Sequence, residues 1–287
     1  MNYILRSFAS SNIYNKIEQK QYPLEISGIV DVAKASVASL MKEDNNNKIC
    51  IITYNEIQAQ KIVKDLNYFE ENAVMFFPKK EISIYDYDAE SSNSTNDRIK
   101  VLNSIYQNKT SIIVTTIEAV MQSMISKEAF FENVIDLKRG DELELNKFKE
   151  KLVSLGYKRD DLVDGRMQFS IRGDIVDISL DENLGIRIEL WGDEIDSIRK
   201  FKLSSQRTIE MCDNITIFPA DEKVVEVIVE TVCERIRKSY NKESNENILE
   251  DIRKDIEQIE NGNYKVKTDK YFNEFYECSN FLQYLEG

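Results

Sequence analysis

"GIRIELWGDEIDSIRKFKL", residues 185–203, decides the second half of the fold. Ile186, Ile188 and Leu190 alternate with Arg187, Glu189 and Trp191, the period of a strand with one apolar face. Gly192-Asp193 then separates this run from "EIDSIRKFKL", a two-residue hairpin signal. Upstream, "MQFSIR" and "IVDISL" are split in the same way by Gly173-Asp174. Residues 167–203 therefore predict an antiparallel meander. The chain's single tryptophan, Trp191, falls on the charged outward face beside Arg187. On the neighbouring hairpin arm Gln168, Ser170 and Arg172 alternate against Met167, Phe169 and Ile171, which turns Arg172 outward too.

Before the meander the pattern is different. "KICIIT" (48–53), "AVMFFP" (73–78) and "SIIVTT" (111–116) read as short buried strands. Between and after them come helical patterns at 56–69, 97–107 and 117–125. In the first of these, Ala59, Ile62, Val63, Leu66 and Phe69 recur at helical spacing. Strand-helix alternation predicts a parallel sheet covered by helices. "DAESSNSTN" (88–96) reads as an exposed polar loop, and a further helix is expected at about 146–155. After the meander the chain returns to a strand, "NITIFP" (214–219), then to two polar helical stretches near 222–240 and 243–261 and an aromatic tail. The expected fold class is α/β, a parallel-sheet domain interrupted by an inserted α+β antiparallel domain. The expected divisions are 1–125, 126–207 for the insertion, and 208–287.

Composition removes several function classes. The chain has 287 residues and a net charge of −13, which argues against a sequence-independent grip on DNA phosphates. It has no histidine, which removes the commonest general base and metal ligand. Cys50, Cys212, Cys233 and Cys278 are far apart and form no C-x-x-C, so they read as incidental thiols. Asp160/Asp161, Asp174/Asp177 and Asp193/Glu194/Asp196 are carboxylate pairs of the kind that 51 acidic residues produce by chance. No catalytic residue and no metal site is expected. No apolar run approaches membrane-spanning length and the N-terminus lacks a signal-peptide core, so a cytoplasmic location is expected.

A parallel α/β sheet carries ligands at the carboxyl ends of its strands. A phosphate loop would sit at the entry to the first helix, "ISGIVDVAKASVASLM" (26–41). Such a loop needs G-x-x-x-x-G-K-[ST]. Here Gly28 holds the first glycine position, but Ala33, Lys34 and Ala35 occupy the rest. Ala33 puts a Cβ where backbone should approach phosphate, and Ala35 lacks the magnesium-binding hydroxyl. These four residues read as a decayed phosphate loop, with no cofactor.

"GRMQFSIRGDIVDISL" and "IRIELWGDEIDSIRKFKLSSQRTIE" resemble the signature of the UvrA-binding domain shared by UvrB and the Mfd family of transcription-repair coupling factors. "ITYNEIQAQKIVKDL", "FFPKKEISIYDYDAESS", "DRIKVLNSIY" and "IIVTTIEAVMQ" resemble the N-terminal part of the coupling factors. The likeness covers nearly the whole chain and is weakest from about 240 to 287. UvrB keeps an intact phosphate loop and inserts an aromatic DNA clamp after a tyrosine-rich motif. Here Tyr85, Asp86 and Tyr87 lead through a short loop to Arg98, which leaves no room for the clamp. Both departures match the coupling factors.

The resemblance implies a degenerate RecA/helicase-like domain and a non-catalytic module that recruits UvrA to stalled RNA polymerase for nucleotide excision repair by mimicking UvrB. The alternative it leaves is an ATP- and damaged-DNA-binding UvrB-like repair subunit. It implies that the chain is an N-terminal fragment, that RNA polymerase and DNA are partners through absent downstream domains, and that those domains form an ATP- and magnesium-dependent DNA translocase. It also implies an intramolecular contact masking the UvrA surface in the longer protein. The family's UvrA-contacting positions fall on Arg172, Arg187 and Trp191, expected here as one exposed patch.

Overall fold

The computed structural model describes residues 15, 16, 19, 22–45, 48–68, 74–80, 92–110, 112–223, 228–262 and 268–286. Phe69 and the Tyr85-Asp86-Tyr87 motif lie outside the described residues. The architecture is mixed α/β, with one parallel sheet and separate antiparallel ones. The chain divides into two compact units, one within Met1–Ile82, Tyr87–Ser123 and Asn280–Gly287, the other within Ser83–Asp86 and Met124–Ser279.

The first unit opens with helix α1 (Asp31–Asn45), then alternates β1 (Ile49–Thr53), α2 (Glu56–Asn67), β2 (Val74–Phe77), α3 (Ser92–Tyr106), β3 (Ile112–Thr116) and α4 (Ile117–Met121). The three strands form a parallel sheet in the order β1-β3-β2, so the last strand lies between the first two. That is why all five residues of β3 are buried. Buried hydroxyls cross-link the strand ends. Thr53 Oγ1 donates to the Thr115 carbonyl at 3.1 Å, and Thr115 Oγ1 donates to the Phe77 carbonyl at 2.8 Å. Helix α2 starts where the Asn55 side chain accepts from the Gln58 amide, satisfying one orphan donor of the first turn. Its Ala59, Ile62 and Leu66 join Ala35, Ala38, Ile112 and Val114 in one core. Helix α3 begins at Ser92, five residues before the expected start. Residues 92–96, the described part of the stretch expected to be loop, form its first turn, where small polar residues are best tolerated, and residues 88–91 lie outside the described residues.

In the second unit, β4 (Met124–Ile125), α5 (Lys127–Phe131), β5 (Ile135–Lys138) and α6 (Leu145–Ser154) precede β6 (Lys158–Arg159), β7 (Gln168–Arg172), β8 (Ile175–Ser179), β9 (Leu184–Trp191), β10 (Glu194–Lys202) and β11 (Thr208–Cys212). The last six form one sheet in the order β11-β10-β9-β8-β7-β6, antiparallel except at β6-β7. Gly173 and Gly192 make the tight hairpins at φ +59° and +64°, a backbone region open to glycine. Val176, Ile178, Ile186, Ile188, Leu190, Ile195 and Ile198 share a core with Phe148 and Leu152 of α6. The sheet runs past the division expected at 207, because β11 pairs with β10. Strand β12 (Asn214–Ile217) pairs with β5 rather than with the parallel sheet, and Ile217 joins the antiparallel sheet's core. Helices α7 (Val229–Ser239) and α8 (Glu246–Glu260) follow, then α9 (Phe272–Phe275) and β13 (Cys278–Ser279), which pairs with β4.

The chain then returns to the first unit as α10 (Phe281–Leu285), which packs its Phe281 ring on Phe77 with centroids 3.8 Å apart.

Candidate functional site

The loop before α1 and the first turns of that helix hold the four positions of the expected phosphate-loop motif, Gly28, Ala33, Lys34 and Ala35. Gly28 sits at φ +74°. Lys34 Nζ is 3.0 Å from Asp31 Oδ1, and Lys61 Nζ reaches the other oxygen of the same carboxylate at 3.1 Å. These two ammonium groups, Lys34 first, hold the Asp31 carboxyl below the usual range. The Ala33 amide donates to the Val30 carbonyl at 2.9 Å. Ala35 is fully buried against the parallel sheet's core. The lysine at the phosphate position is thus paired within the protein.

The second site is the outward face of the antiparallel sheet. Cross-strand register places Ser170, Asp177, Arg187, Arg199 and Met211 in one row across β7 to β11. The next row holds Arg172, Ile175, Glu189 and Ser197, and the row beyond it holds Trp191 and Glu194. Period-two geometry puts all of these on the face opposite Ile186 and Ile188. Asp177 is only 1% exposed. A buried carboxylate needs partners, and it has two arginines. Arg187 donates from Nε to Oδ1 at 2.6 Å and from Nη2 to Oδ2 at 2.8 Å, a forked contact. Arg172 donates from Nη2 to Oδ2 at 2.5 Å.

The three expected residues differ in exposure. Trp191 is 85% exposed and carries the largest apolar surface of the face. The Arg172 side chain is 48% exposed. Arg187 corrects the expectation of a uniformly exposed patch, since its side chain is only 18% exposed. Its guanidinium lies 4.8 Å over the Phe201 ring, and Nη2 also donates to Gln206 Oε1 at 3.3 Å. Gln206, at φ +58°, in turn donates from Nε2 to the carbonyls of Val163 and Leu203. The hydrogen bond to Asp177 raises the Arg187 pKa further, so it is always cationic.

Other groups complete the face. Glu189 pairs with Arg199 and accepts from Ser197 Oγ at 2.8 Å, which lines charged side chains between Arg187 and Trp191. Met211 on edge strand β11 is 63% exposed. Sequence reasoning passed over Asp177, reading it as one of many chance carboxylates. The available signal was its position: an acid between Val176 and Ile178, mid-strand, facing the side where two arginines alternate outward. Gln206 carries no comparable signal, because its role depends on a loop conformation.

Among the described residues no cluster of three or more His, Cys, Asp or Glu side chains is placed to hold a metal ion. The four cysteines are free. No described helix is long and apolar enough to cross a membrane.

Residues 135–222 match the UvrB interaction domain. The chain is 30% identical over 225 residues to the transcription-repair-coupling factor of Bacillus subtilis (strain 168), covering 78% of this chain and 19% of that protein. It is 27% identical over 201 residues to the protein of that name from Staphylococcus haemolyticus, and 28% identical over 201 residues to that of Staphylococcus aureus strain USA300. In both, the match covers 70% of this chain and 17% of the relative. The chain thus spans about a fifth of the length of these curated relatives. The motifs in residues 165–210 that carried the resemblance lie inside the matched domain.

Proposed function

We propose, from this kinship with the transcription-repair-coupling factors, that the chain serves transcription-coupled nucleotide excision repair as a non-catalytic module that binds UvrA in the manner of UvrB. The observation that carries the reading is the arginine–tryptophan face. Trp191 and Arg172 stand exposed on one sheet face inside the segment that matches a UvrB interaction domain. Tryptophan and arginine dominate binding energy at interfaces, the first through contact area and the second through forked bonds to carboxylates. An acidic, partly apolar surface of UvrA is the complementary partner.

The first unit, on this reading, is a degenerate RecA-like domain whose phosphate loop has lost its function. Lys34 turned toward Asp31 and Ala35 packed in the core support that view. The module itself is no enzyme and needs no cofactor, and it works in the cytoplasm. RNA polymerase, DNA and an ATP- and magnesium-driven motor belong to the longer protein, which also masks the UvrA-binding face through an internal contact.

Titration of the chain with purified UvrA tests the proposal. Trp191→Ala and Arg172→Ala are each expected to weaken binding by about 2 kcal/mol or more, with circular dichroism unchanged. A double variant that stays folded and binds UvrA like the wild type overturns the reading. Calorimetry with ATP and magnesium tests the competing UvrB-like reading, and no saturable heat is expected. A saturable heat that disappears in Lys34→Ala would favour a working nucleotide site.

A further inference from the structure

We propose that the cavity between α7 and α8 binds a free α-amino acid with an apolar side chain. The cavity has a volume of about 420 Å³, within the range of small-molecule pockets. Its residues lie beyond 222, outside the matched UvrB interaction domain, so the site stands independently of the UvrA-binding reading. Leu249, Ile252 and Ile256 supply an apolar floor, one stripe of α8 at helical spacing. Ile252 and Ile256 are buried. Tyr240, the C-cap of α7, adds an aromatic side chain that meets Tyr271 edge-on, with centroids 6.2 Å apart.

Five charged side chains line the same cavity, and three of them are already engaged. Arg237 Nη2 is 2.7 Å from Glu260 Oε1, and Glu243 Oε1 accepts from the Ser244 and Asn245 amides at 2.8 Å. Arg253 and Glu257 remain. Among the described residues neither side chain closes an ion pair or a hydrogen bond. The two stand four apart on one helix, where opposite charges ordinarily meet. Glu250 and Lys254, at the same spacing on α8, do meet, at 2.8 Å. The order of the charges differs. Acid before base is the favourable direction along a helix, and base before acid is the weaker one. Arg253 and Glu257 thus present one cation and one anion, a helical turn apart, beside an apolar floor. That set selects the ligand. A guanidinium takes a carboxylate through forked bonds, and a carboxylate takes an ammonium. An α-amino acid carries both charges on one carbon, with a side chain to bury on the floor. A peptide end carries only one of them, and a fatty acid has no cation.

Ligand-observed NMR and calorimetry on the full chain test the proposal. Both charged groups are exposed, so leucine and phenylalanine are expected to bind saturably but modestly, with a roughly millimolar dissociation constant. Glycine, with nothing to bury, should bind at least about tenfold more weakly. N-acetyl-leucine lacks the ammonium and leucinamide lacks the carboxylate, and each should bind about tenfold more weakly than leucine. Arg253→Gln and Glu257→Gln should each weaken leucine binding about tenfold. Glu250→Gln removes the acid of the closed pair on the same helix and should leave it unchanged. Thermal melts check that the variants fold, and the blocked ligands test the wild-type chain without any substitution. No saturable binding of leucine, blocked forms that bind as tightly as leucine, or binding untouched by both substitutions overturns the proposal.

Discussion

Gly185 shows how closely the outward face is built. A Cβ added there would lie 2.5 Å from Phe201 Cζ and 2.9 Å from Leu203 Cδ2. Phe201 is the ring under the Arg187 guanidinium and is itself fully buried with Val163 and Leu203. A methyl group at 185 would push that ring, and with it the arginine that clamps Asp177. Gly185→Ala is expected to destabilise the chain by about 1–3 kcal/mol, the usual range for overpacking, read as a lower urea midpoint. A midpoint within error of the wild type would mean that the Phe201 ring moves freely and supports nothing. Trp191 is the opposite case, since at 85% exposure its removal should leave stability nearly untouched. The two substitutions separate the residue that builds the face from the residue the face displays.

At the scale of elements, the short pieces depend on their ends. Helix α10 has five residues, too few to persist on propensity alone. It is held by a reciprocal capping box at Asn280 and Gln283 and by burial of Phe281 and Tyr284. Asn280→Ala removes the side chain that accepts from the Leu282 and Gln283 amides. The expected cost is about 1 kcal/mol, seen as faster amide hydrogen exchange in 281–285 before any change elsewhere. Unchanged exchange there would mean that packing of Phe281 alone fixes the helix. The glycine hairpins were readable in the sequence because a two-residue loop demands a conformation that few residues adopt. The start of α3 was not, since serine and asparagine serve equally in a loop and in a first helical turn. The pairing of β12 with β5 was also out of reach, because an apolar run does not name its partner strand.

For the whole molecule the absence of histidine shapes the response to pH. Between about pH 6 and 8 no histidine titrates, so the unfolding midpoint should be nearly flat. Above that range it should fall. Burial pushes the Cys50 thiol up to about 11 and raises the Tyr157 and Tyr271 hydroxyls above the ordinary phenol range. The unfolded chain releases these protons at its ordinary values, about 8.5 for the thiol and 10 for tyrosine, while the folded chain still holds them. It then binds fewer protons than the folded chain, so stability declines as pH rises from about 8.5. On the acid side the depressed Asp31 carboxyl has the opposite sign, contributing above about pH 4 and losing its ion pairs as it is protonated. Urea midpoints from about pH 2 to 10 check the profile, and Cys50→Ala should soften the first part of the alkaline decline. A rise in stability above pH 9 would contradict the burial of these groups.

What the sequence determined by itself was periodicity. Period two with glycine-aspartate turns specified the meander and its apolar face, and short apolar runs between helical patterns specified parallel strands. Both are local properties, written in neighbouring residues. The same alternation put Arg172, Arg187 and Trp191 on one side, since a strand's faces follow from counting. Tertiary structure decided what no count reaches. It chose which strands pair, carrying the sheet through β11 and joining β12 to β5. It packed a partly buried Arg187 against Phe201 and left Trp191 exposed, although both lie on the same face of one strand. It also brought Asp177 between two arginines 5 and 10 residues away in sequence. The physical reason is that burial and ion pairing depend on the loops and strands that close over a face. In this chain those are the residues around Val163 and Gln206, whose positions are set by long-range contacts.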